Sequence, residues 1–286
     1  SKKPIQVSTY QSLVNMPKEW FQQFQMVIVD EAHIGESKSV TTVLNNMSKT
    51  VYRFGLTGTI KDAECHKLIL EGLMGPVKTL SKARNLIDRG HLSKLKINCI
   101  ILKHPRMPRF NYNDEMDYLC GSKLRNEYII RLAKSLKKNT LILFHYIEKH
   151  GEILYNMLKE QIKDRPEYYI HGKIDKDERQ EIFRLLKTHD NAIVLASDGT
   201  TSVGIDAPNL QNLIQASPSK AKIKTVQSIG RVLRNHEDKM IANIYDIADD
   251  LQCGMQRNIT LDHFIERIKI YNGEQYEYKI YPVELK

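Results

Sequence analysis

Short apolar runs alternate along the chain with longer segments of helical periodicity. Among the longer segments, residues 177–187 place Ile182, Phe183 and Leu186 on one face of a helix and charged side chains on the other. The apolar runs that predict strands are residues 25–29, 51–56, 96–102, 141–144, 168–170, 192–196, 212–216 and 240–246, and a tyrosine-rich run at residues 275–283 predicts a closing strand or hairpin. Such alternation is typical of βα units around a mainly parallel sheet, so the pattern predicts an α/β fold.

The pattern changes character between residue 75 and about residue 113, where Pro105 and Pro108 interrupt it among basic residues. We interpret this stretch as the connection between two domains. The first domain is expected over residues 1–95, and the second, together with the linker, over residues 96–286. A length of 286 residues is sufficient for two domains that each bury a core.

Composition and charge narrow the class of protein further. A formal net charge of +9 favours a polyanionic partner, because lysine and arginine gain free energy when they displace the counterions of a phosphate backbone. The four cysteines show no CxxC spacing, which argues against a zinc site or a disulfide framework and for a reducing, cytoplasmic compartment. No apolar run approaches the roughly 20 residues of a membrane helix, so we expect no membrane partner.

Two adjacent carboxylates end the first predicted strand. Asp30 and Glu31 follow residues 25–29 directly, and ligands of open α/β sheets bind beyond the carboxyl ends of the strands. Asp30 is a candidate Mg²⁺ ligand, because Mg²⁺ prefers hard oxygen atoms, and Glu31 is a candidate base for the water that attacks a terminal phosphate. The alternative interpretation is an acidic first turn of a helix, which an isolated Asp-Glu pair would favour.

Polar loops follow two further predicted strands. Thr57-Gly58-Thr59 ends the second strand with two hydroxyls that can relay hydrogen bonds, although a turn and a helix cap would give the same string. Residues 198–206 follow the strand at residues 192–196 and offer small side chains and backbone amides to a nucleic-acid backbone. A polar loop without that role would look similar.

Two arginines share one face of a predicted helix in the last quarter of the chain. Arg231 and Arg234 lie three residues apart in the string QSIGRVLR, residues 227–234. Arginine is permanently charged and forks onto phosphate oxygens, so a pair from a second domain can stabilise the charge that develops during phosphoryl transfer. A solvated basic face is the alternative interpretation.

These strings occur in the order of the conserved motifs of superfamily two helicases, so the chain resembles that family. Asp30-Glu31-Ala32-His33 resembles motif II of the DEAH type, and Thr57-Gly58-Thr59 resembles motif III. Motifs IV, V and VI are matched in turn by residues 141–146, 197–206 and 227–234. The resemblance covers nearly the whole chain and implies two RecA-like parallel-sheet domains in tandem, of which the first is incomplete at its N-terminus.

The resemblance implies a role for each matched residue. In the catalytic site, Asp30 would coordinate Mg²⁺, Glu31 would act as the base, and Arg231 and Arg234 would be arginine fingers. The residues expected at the nucleotide are His33, Gln227, Gly204 and Asp206, and those expected to couple the nucleotide site to the nucleic acid are Thr57, Gly58 and Thr59. The residues expected to contact the nucleic acid are Ser8, Thr9, Gln11, Ser197, Thr200 and Thr201.

One element of the family has no counterpart in the sequence. No GxxxxGK[ST] string occurs, so these residues do not supply the lysine and hydroxyl that grip phosphates and Mg²⁺ in the family. We expect that loop in a region N-terminal to residue 1, and we expect the segment alone to be inactive.

The resemblance implies an ATP-dependent helicase or translocase that uses ATP and Mg²⁺. The strings at residues 8–13, 55–59 and 227–234 are most similar to members that act on branched DNA in recombination and repair. Fork regression, branch migration and unwinding of RNA–DNA hybrids are the implied reactions, and we expect a monomer with forked or branched DNA as its partner. The alternatives are a double-strand translocase that does not separate strands and an ATP-independent nucleic-acid-binding module.

Overall fold

The computed structural model describes residues 5–35, 37–58, 64–81, 83–201, 209–218, 241–254 and 256–285. It confirms the predicted α/β fold and divides the chain into two compact units, Ser1–Leu80 and Ser81–Lys286, consistent with two RecA-like domains in tandem. The division falls at residue 80, whereas the sequence predicted a first domain that ends at residue 95. A strand of the second unit's sheet begins at Lys94, and residues 81–95 already belong to that unit.

The first unit contains a small parallel sheet. Its elements are α1 (Tyr10–Leu13), α2 (Lys18–Phe21), β1 (Met26–Asp30), a 3₁₀ turn (Ala32–Ile34), α3 (Lys38–Asn46), β2 (Tyr52–Leu56) and α4 (Glu64–Met74). On one face of the sheet, Val27 and Val29 pack against a buried cluster to which α3 contributes most of the side chains. On the other face, the apolar side chains of Ile28 and Phe54 are exposed.

The second unit is built on a seven-stranded sheet in which neighbouring strands are parallel. Its strands are β3 (Lys94–Lys103), β4 (Thr140–Phe144), β5 (Glu167–Ile170), β6 (Ile193–Ser197), β7 (Asn212–Gln215), β8 (Ile241–Asp250) and β9 (Tyr278–Glu284), in the order β5-β6-β4-β7-β8-β3-β9. Its helices are α5 (Ala83–Asp88), α6 (Tyr112–Gly121), α7 (Lys123–Ser135), a π-helix (Ile147–Gly151), α8 (Glu152–Gln161), α9 (Lys176–Thr188), α10 (Asp198–Thr201) and α11 (Ile259–Gly273). Each run that predicted a strand beyond residue 95 overlaps one of these strands.

Both faces of the inner strands of the seven-stranded sheet are buried. In β4, Leu141 and Leu143 enter a core shared with α9 and α11, whereas Ile142 and Phe144 enter a second core shared with α7 and α8. Parallel sheets are stable when helices cover both faces, and their strands then read as continuous apolar runs. This explains why the strands of the second unit were visible in the sequence. Among the described residues, no helix is long and apolar enough to cross a membrane.

A buried ion pair joins α7 to the end of β8. Asp249 and Arg125 are both 0% exposed, and the carboxylate accepts hydrogen bonds from Arg125 Nε at 2.8 Å and from Nη2 at 3.0 Å. His104 Nε2 lies 3.0 Å from the same carboxylate. Burial alone would raise the pKa of Asp249, but the guanidinium charge and these hydrogen bonds lower it to about 2. Asp249 is therefore ionised at neutral pH and ties the carboxyl end of β8 to the helix layer.

His150 is a neutral histidine in the interior close to this pair. Its Nε2 lies 3.2 Å from Asn126 Oδ1, and its Nδ1 lies 3.2 Å from Ser217 Oγ. Asn126 Nδ2 donates to Cys120 O, which leaves Oδ1 as an acceptor, so His150 Nε2 carries the proton. Burial lowers the pKa of His150 to about 3, and the nearby Arg125 charge acts in the same direction.

We expect the second unit to lose stability between pH 7 and pH 5 because of His150. In an unfolded chain the pKa of histidine is about 6.5, so below this pH the unfolded state binds a proton that the folded state does not bind. The free energy of unfolding therefore falls as the pH falls, by roughly 2 kcal/mol at pH 5, since one pKa unit corresponds to about 1.36 kcal/mol. Denaturant titrations at the two pH values measure this loss.

The matched variant is His150→Gln. Glutamine keeps one donor for Asn126 and one acceptor for Ser217 but has no group that titrates in this range. The stability of this variant should change by roughly 2 kcal/mol less over the same pH interval. An equal pH dependence in the variant and the wild type would contradict the assignment.

Candidate functional site

The motif II and motif III strings meet at one edge of the first unit's sheet. β1 and β2 are parallel neighbours with Asp30 opposite Leu56, so Asp30 and Thr57 leave the carboxyl ends of their strands at the same edge. The Glu31 N–H donates to Asp30 Oδ1 at 2.9 Å, which fixes the first carboxylate against the turn. The Glu31 side chain is 54% exposed, so a ligand at this edge can reach its carboxylate.

The backbone of Glu31 is in the left-handed region, with φ of 51° and ψ of 45°. A residue other than glycine in this region costs about 1–3 kcal/mol, and such residues cluster at functional sites. The conformation ends β1 abruptly and starts the 3₁₀ turn that carries His33. The strained backbone of Glu31 lowers the stability of the fold, and it fixes the positions of the Glu31 and His33 side chains.

His33 connects the two motifs. Its Nδ1 lies 3.1 Å from Glu31 Oε2 and 3.2 Å from Thr57 Oγ1, and its side chain is 13% exposed. A proton on Nδ1 can be shared between these two oxygen atoms. A displacement of Thr57 would therefore change the hydrogen bonding of Glu31 through a single imidazole ring.

A glycine in β2 lets helix α4 pack on this turn. A Cβ at Gly55 would lie 2.6 Å from Met74 Sδ and 2.8 Å from Ala32 Cβ, so a side chain there would displace both neighbours. A Cβ at Gly58, three residues further on, would have no atom within 4 Å. Gly55 lies two residues before the motif III string, and no local feature of the sequence separated its packing role from that of Gly58.

A second group of polar side chains lies at the carboxyl edge of the second unit's sheet. Asp198 Oδ2 lies 3.4 Å from His145 Nδ1, and the His145 N–H donates to Ser217 Oγ at 3.1 Å. These residues follow β6, β4 and β7, which are adjacent, so the sheet order brings them together. His145 and Asp198 lie within the motif IV and motif V strings, but neither they nor Ser217 were assigned an individual role from the sequence. A polar residue within two positions of the end of each apolar run is the signal that could have found them.

Two of the predicted nucleic-acid contacts of the second unit, Ser197 and Thr200, are buried. Ser197 Oγ and Thr200 Oγ1 lie 3.0 Å apart, Thr200 Oγ1 also donates to Ser197 O at 2.8 Å, and both residues are 5% exposed. Thr201 is the last residue of α10. A nucleic acid could reach the first two hydroxyls only if this turn opened.

The predicted nucleic-acid contacts of the first unit are accessible. Ser8, Thr9 and Gln11 are all exposed. Thr9 is the N-cap of α1, and its Oγ1 accepts a hydrogen bond from the Ser12 N–H at 3.4 Å. The cap fixes the start of the helix and leaves the side chains of Ser8 and Gln11 at the surface.

The remaining predicted site residues lie outside the described residues. They are Thr59 of the coupling string, Gly204, Asp206 and Gln227 of the nucleotide contacts, and the two arginines Arg231 and Arg234. Their roles stay predictions from the sequence.

Asp30 suits Mg²⁺ as one ligand among several. In the described part of the chain, no three His, Cys, Asp or Glu side chains are grouped so that they could hold a metal ion. Protein-bound Mg²⁺ usually takes one or two carboxylates and completes its shell with waters and substrate phosphates. A single carboxylate at an open sheet edge fits that mode, in which the nucleotide supplies further oxygen ligands.

Known proteins match both units. Residues 123–236 match the helicase conserved C-terminal domain, and residues 1–62 match the res subunit of type III restriction enzymes. The ATP-dependent DNA helicase UvsW of enterobacteria phage T4 is 31% identical over 300 residues, which include 99% of this chain and 59% of that protein. The chain thus spans less than two thirds of the length of this relative.

Solved structures share the fold. The crystal structure of T4 UvsW matches 97% of this chain and 57% of its own, with 29% identity and a TM-score of 0.57. A putative HsdR subunit of a type I restriction enzyme from Vibrio vulnificus matches 96% of this chain and 51% of its own, with a TM-score of 0.70. Its identity of 18% shows a common fold and no more.

The motif order and these matches show that the chain is similar to helicases along nearly its whole length, and that residues 123–236 match the helicase conserved C-terminal domain. The resemblance predicted from the motifs is confirmed. One protein that is similar to the chain along nearly its whole length is UvsW, a DNA helicase.

Proposed function

We propose that this chain is the motor core of an ATP-dependent DNA helicase or translocase that acts on branched DNA in recombination and repair. The proposal rests on the meeting of Glu31, His33 and Thr57 at one sheet edge, in a chain similar to a DNA helicase along 99% of its length. Fork regression, branch migration and unwinding of RNA–DNA hybrids are the proposed reactions.

Glu31 is the proposed base of ATP hydrolysis. Its exposed carboxylate can accept a proton from the water that attacks the terminal phosphate, and the His33 contact at 3.1 Å orients it. Asp30 would hold Mg²⁺, which supplies charge neutralisation at the phosphates when it is bound. His33 and Thr57 would couple structural changes at the nucleotide site to the surface that binds the nucleic acid.

The segments outside the described residues complete the proposed chemistry. Arg231 and Arg234 are the proposed arginine fingers, which stabilise the charge that develops on the transferred phosphoryl group. Gln227, Gly204 and Asp206 would contact the nucleotide, and Gly58 and Thr59 would act with Thr57 in the coupling string.

Branched or forked DNA is the proposed partner, with RNA–DNA hybrids as a second substrate. The accessible residues Ser8, Thr9 and Gln11 would contact the backbone in the first unit, and Ser197, Thr200 and Thr201 would do so in the second unit after α10 opens. We propose a monomer that works in the cytoplasm, which is the host cytoplasm if a phage encodes it.

A second candidate function is translocation along duplex DNA without strand separation. The match of residues 1–62 to the res subunit of type III restriction enzymes favours it. Both candidates require ATP hydrolysis at the same residues, so only the fate of the two strands distinguishes them.

The experiment uses the full-length protein with forked DNA and with a linear duplex of the same sequence. We expect ATP-dependent separation of the forked arms and slower separation of the linear duplex. ATP hydrolysis without strand separation on either substrate would favour the duplex translocase. Salt-sensitive binding that no nucleotide alters, without any hydrolysis, would overturn the motor and leave an ATP-independent binding module.

A further inference from the structure

The amino edge of the second unit's sheet carries basic side chains that the proposed function does not use. Lys94 and Lys96 lie two residues apart at the start of β3, so their side chains leave the same face of the sheet. Lys279 stands on the neighbouring strand β9, and all three residues border one open cleft at the amino ends of β3, β8 and β9. All three residues are exposed.

A line of neighbouring side chains extends this group to the turn before β4. Lys96 is the register partner of Asn243 on β8, whose Nδ2 donates to Asn212 Oδ1 on β7 at 3.2 Å. Asn212 Nδ2 in turn donates to the carbonyl oxygen of Lys137, an exposed residue, at 2.7 Å. The basic residues therefore follow the amino edge across four adjacent strands. We call this group the lysine edge, and its members are Lys94, Lys96, Lys137 and Lys279.

The charges of the lysine edge have no acidic partner among the described residues. None of the four ammonium groups forms an ion pair with a residue that the structure describes. The acids that border the same cleft, Asp88 and Glu277, both pair with Arg84, at 3.1 and 3.0 Å. Lys103, at the carboxyl end of β3, pairs with Glu284 at 3.3 Å. The unmatched positive charge of β3 is thus confined to its amino end.

The face of the sheet beside the lysine edge is polar but carries few rings. On β3, β8 and β9, its positions between the amino edge and the buried core are lysine, asparagine, isoleucine or tyrosine, and none is acidic. Tyr281, two residues beyond Lys279, is the one exposed ring on the described strands of this face. Surfaces for single strands stack successive bases on several rings, whereas a duplex presents its phosphates. The composition of this face favours a duplex backbone.

The lysine edge is far from the polar group formed by Asp198, His145 and Ser217 at the carboxyl edge. β3 has ten residues and crosses the sheet from one edge to the other. At about 3.3 Å per residue, the two edges are separated by roughly 30 Å. A duplex would need about nine base pairs to cover that distance, since its phosphates advance about 3.4 Å per strand. DNA with several arms can place separate arms at the two edges.

We propose that the lysine edge binds the phosphate backbone of one duplex arm of the branched substrate. Lysine side chains displace the counterions condensed on duplex DNA and need no contact with the bases. The inference rests on the proposed function and deepens it, because it assigns to a duplex arm a surface opposite the carboxyl edge of the sheet. Binding there would hold one arm while the motor acts on another part of the DNA.

The salt dependence of DNA binding by the full-length protein without ATP tests the four lysines. The probes are a fluorescent four-way junction and a fluorescent oligo-dT. Each single substitution should lower the slope of log affinity against log salt by about 0.9 on the junction, the value for one phosphate contact on duplex DNA. The slope on oligo-dT should not change. The variants are Lys94→Ala, Lys96→Ala, Lys137→Ala and Lys279→Ala.

Two kinds of variant serve as controls. Lys94→Arg and Lys96→Arg should keep the wild-type slope on the junction, because arginine retains the charge. Lys269→Ala removes the same charge from an exposed lysine of α11, the helix that packs on the opposite face of the sheet. Lys269 pairs with Glu266 at 2.7 Å, and its loss should leave both slopes unchanged.

Wild-type slopes on the junction in all four alanine variants would overturn the inference. Equal losses on oligo-dT and on the junction would also overturn it, because the surface would then bind single strands. A third contrary result is a wild-type slope on the junction together with weaker binding of fluorescent poly-L-glutamate, which would identify an acidic protein segment as the ligand. ATP hydrolysis by the wild-type protein on forked DNA tests the motor separately, so failure of the inference and failure of the proposed function are distinguishable.

Discussion

Glu31→Gln should lower nucleic-acid-stimulated ATP hydrolysis by the full-length protein by about 10²–10⁴-fold, the usual contribution of a general base. Glutamine has nearly the same shape, and its Oε1 can still accept from His33 Nδ1, which lies 3.1 Å from the carboxylate in the wild type. The variant should therefore keep the turn and ATP affinity and lose only the proton acceptor. Steady-state hydrolysis with and without forked DNA, beside equilibrium binding of ATP, measures both quantities.

Glu19→Gln is the control for this prediction. Glu19 is an exposed glutamate of α2 in the same unit, and the same change there should leave hydrolysis unaltered. Full turnover in Glu31→Gln would contradict the assignment of the base. A parallel loss of ATP binding would show instead that the carboxylate shapes the nucleotide site.

Arg234→Ala should reduce stimulated hydrolysis by about 10³–10⁵-fold if this residue is an arginine finger. The guanidinium would neutralise charge that exists only in the transition state, so the loss should fall on kcat while KM for ATP changes little. Arg234→Lys should recover only part of the rate, because an ammonium cannot fork onto two phosphate oxygens. A titration of ATP at saturating forked DNA separates the two constants.

Arg184→Ala is the control for the arginine prediction. Arg184 is a well-exposed arginine of α9, paired with Glu181 three residues earlier, and its removal should leave kcat unchanged. A variant Arg234→Ala that retained most of its rate would contradict the arginine-finger assignment. The positive charge that stabilises the transition state would then come from Arg231 or from a residue outside the QSIGRVLR string.

The strands were predictable because most of them are buried on both sides. In β4 and β6 every residue is buried, so each strand is an apolar run that local reading can find. The domain boundary was harder to place. The proline and glycine residues between positions 75 and 113 suggested a linker, but β3 lies within this stretch and pairs with β8 and β9 in the second unit. Pairing with strands more than 100 residues away leaves no mark on the local sequence.

The polar interior of the second unit was not predictable. Arg125 and Asp249 are 124 residues apart, and each resembles a surface residue when its neighbours alone are considered. His150 gave no signal either, because its donor and acceptor come from α7 and from the segment after β7. Such groups are placed by packing, since a buried charge or imidazole is tolerated only when distant partners satisfy it.

By itself, the sequence determined the fold class and the resemblance to helicases, and it predicted the residues of the proposed ATP site. Motif order along the chain is a property of the sequence, and the carboxyl end of an apolar run is where a parallel sheet places its ligands. Only the tertiary structure decided which of these residues meet. It joined His33 to Glu31 and Thr57, buried Ser197 and Thr200, and brought Asp198, His145 and Ser217 together at one edge of the second sheet. Those contacts depend on strand order and register, which are fixed by the burial of the whole sheet and not by any local string.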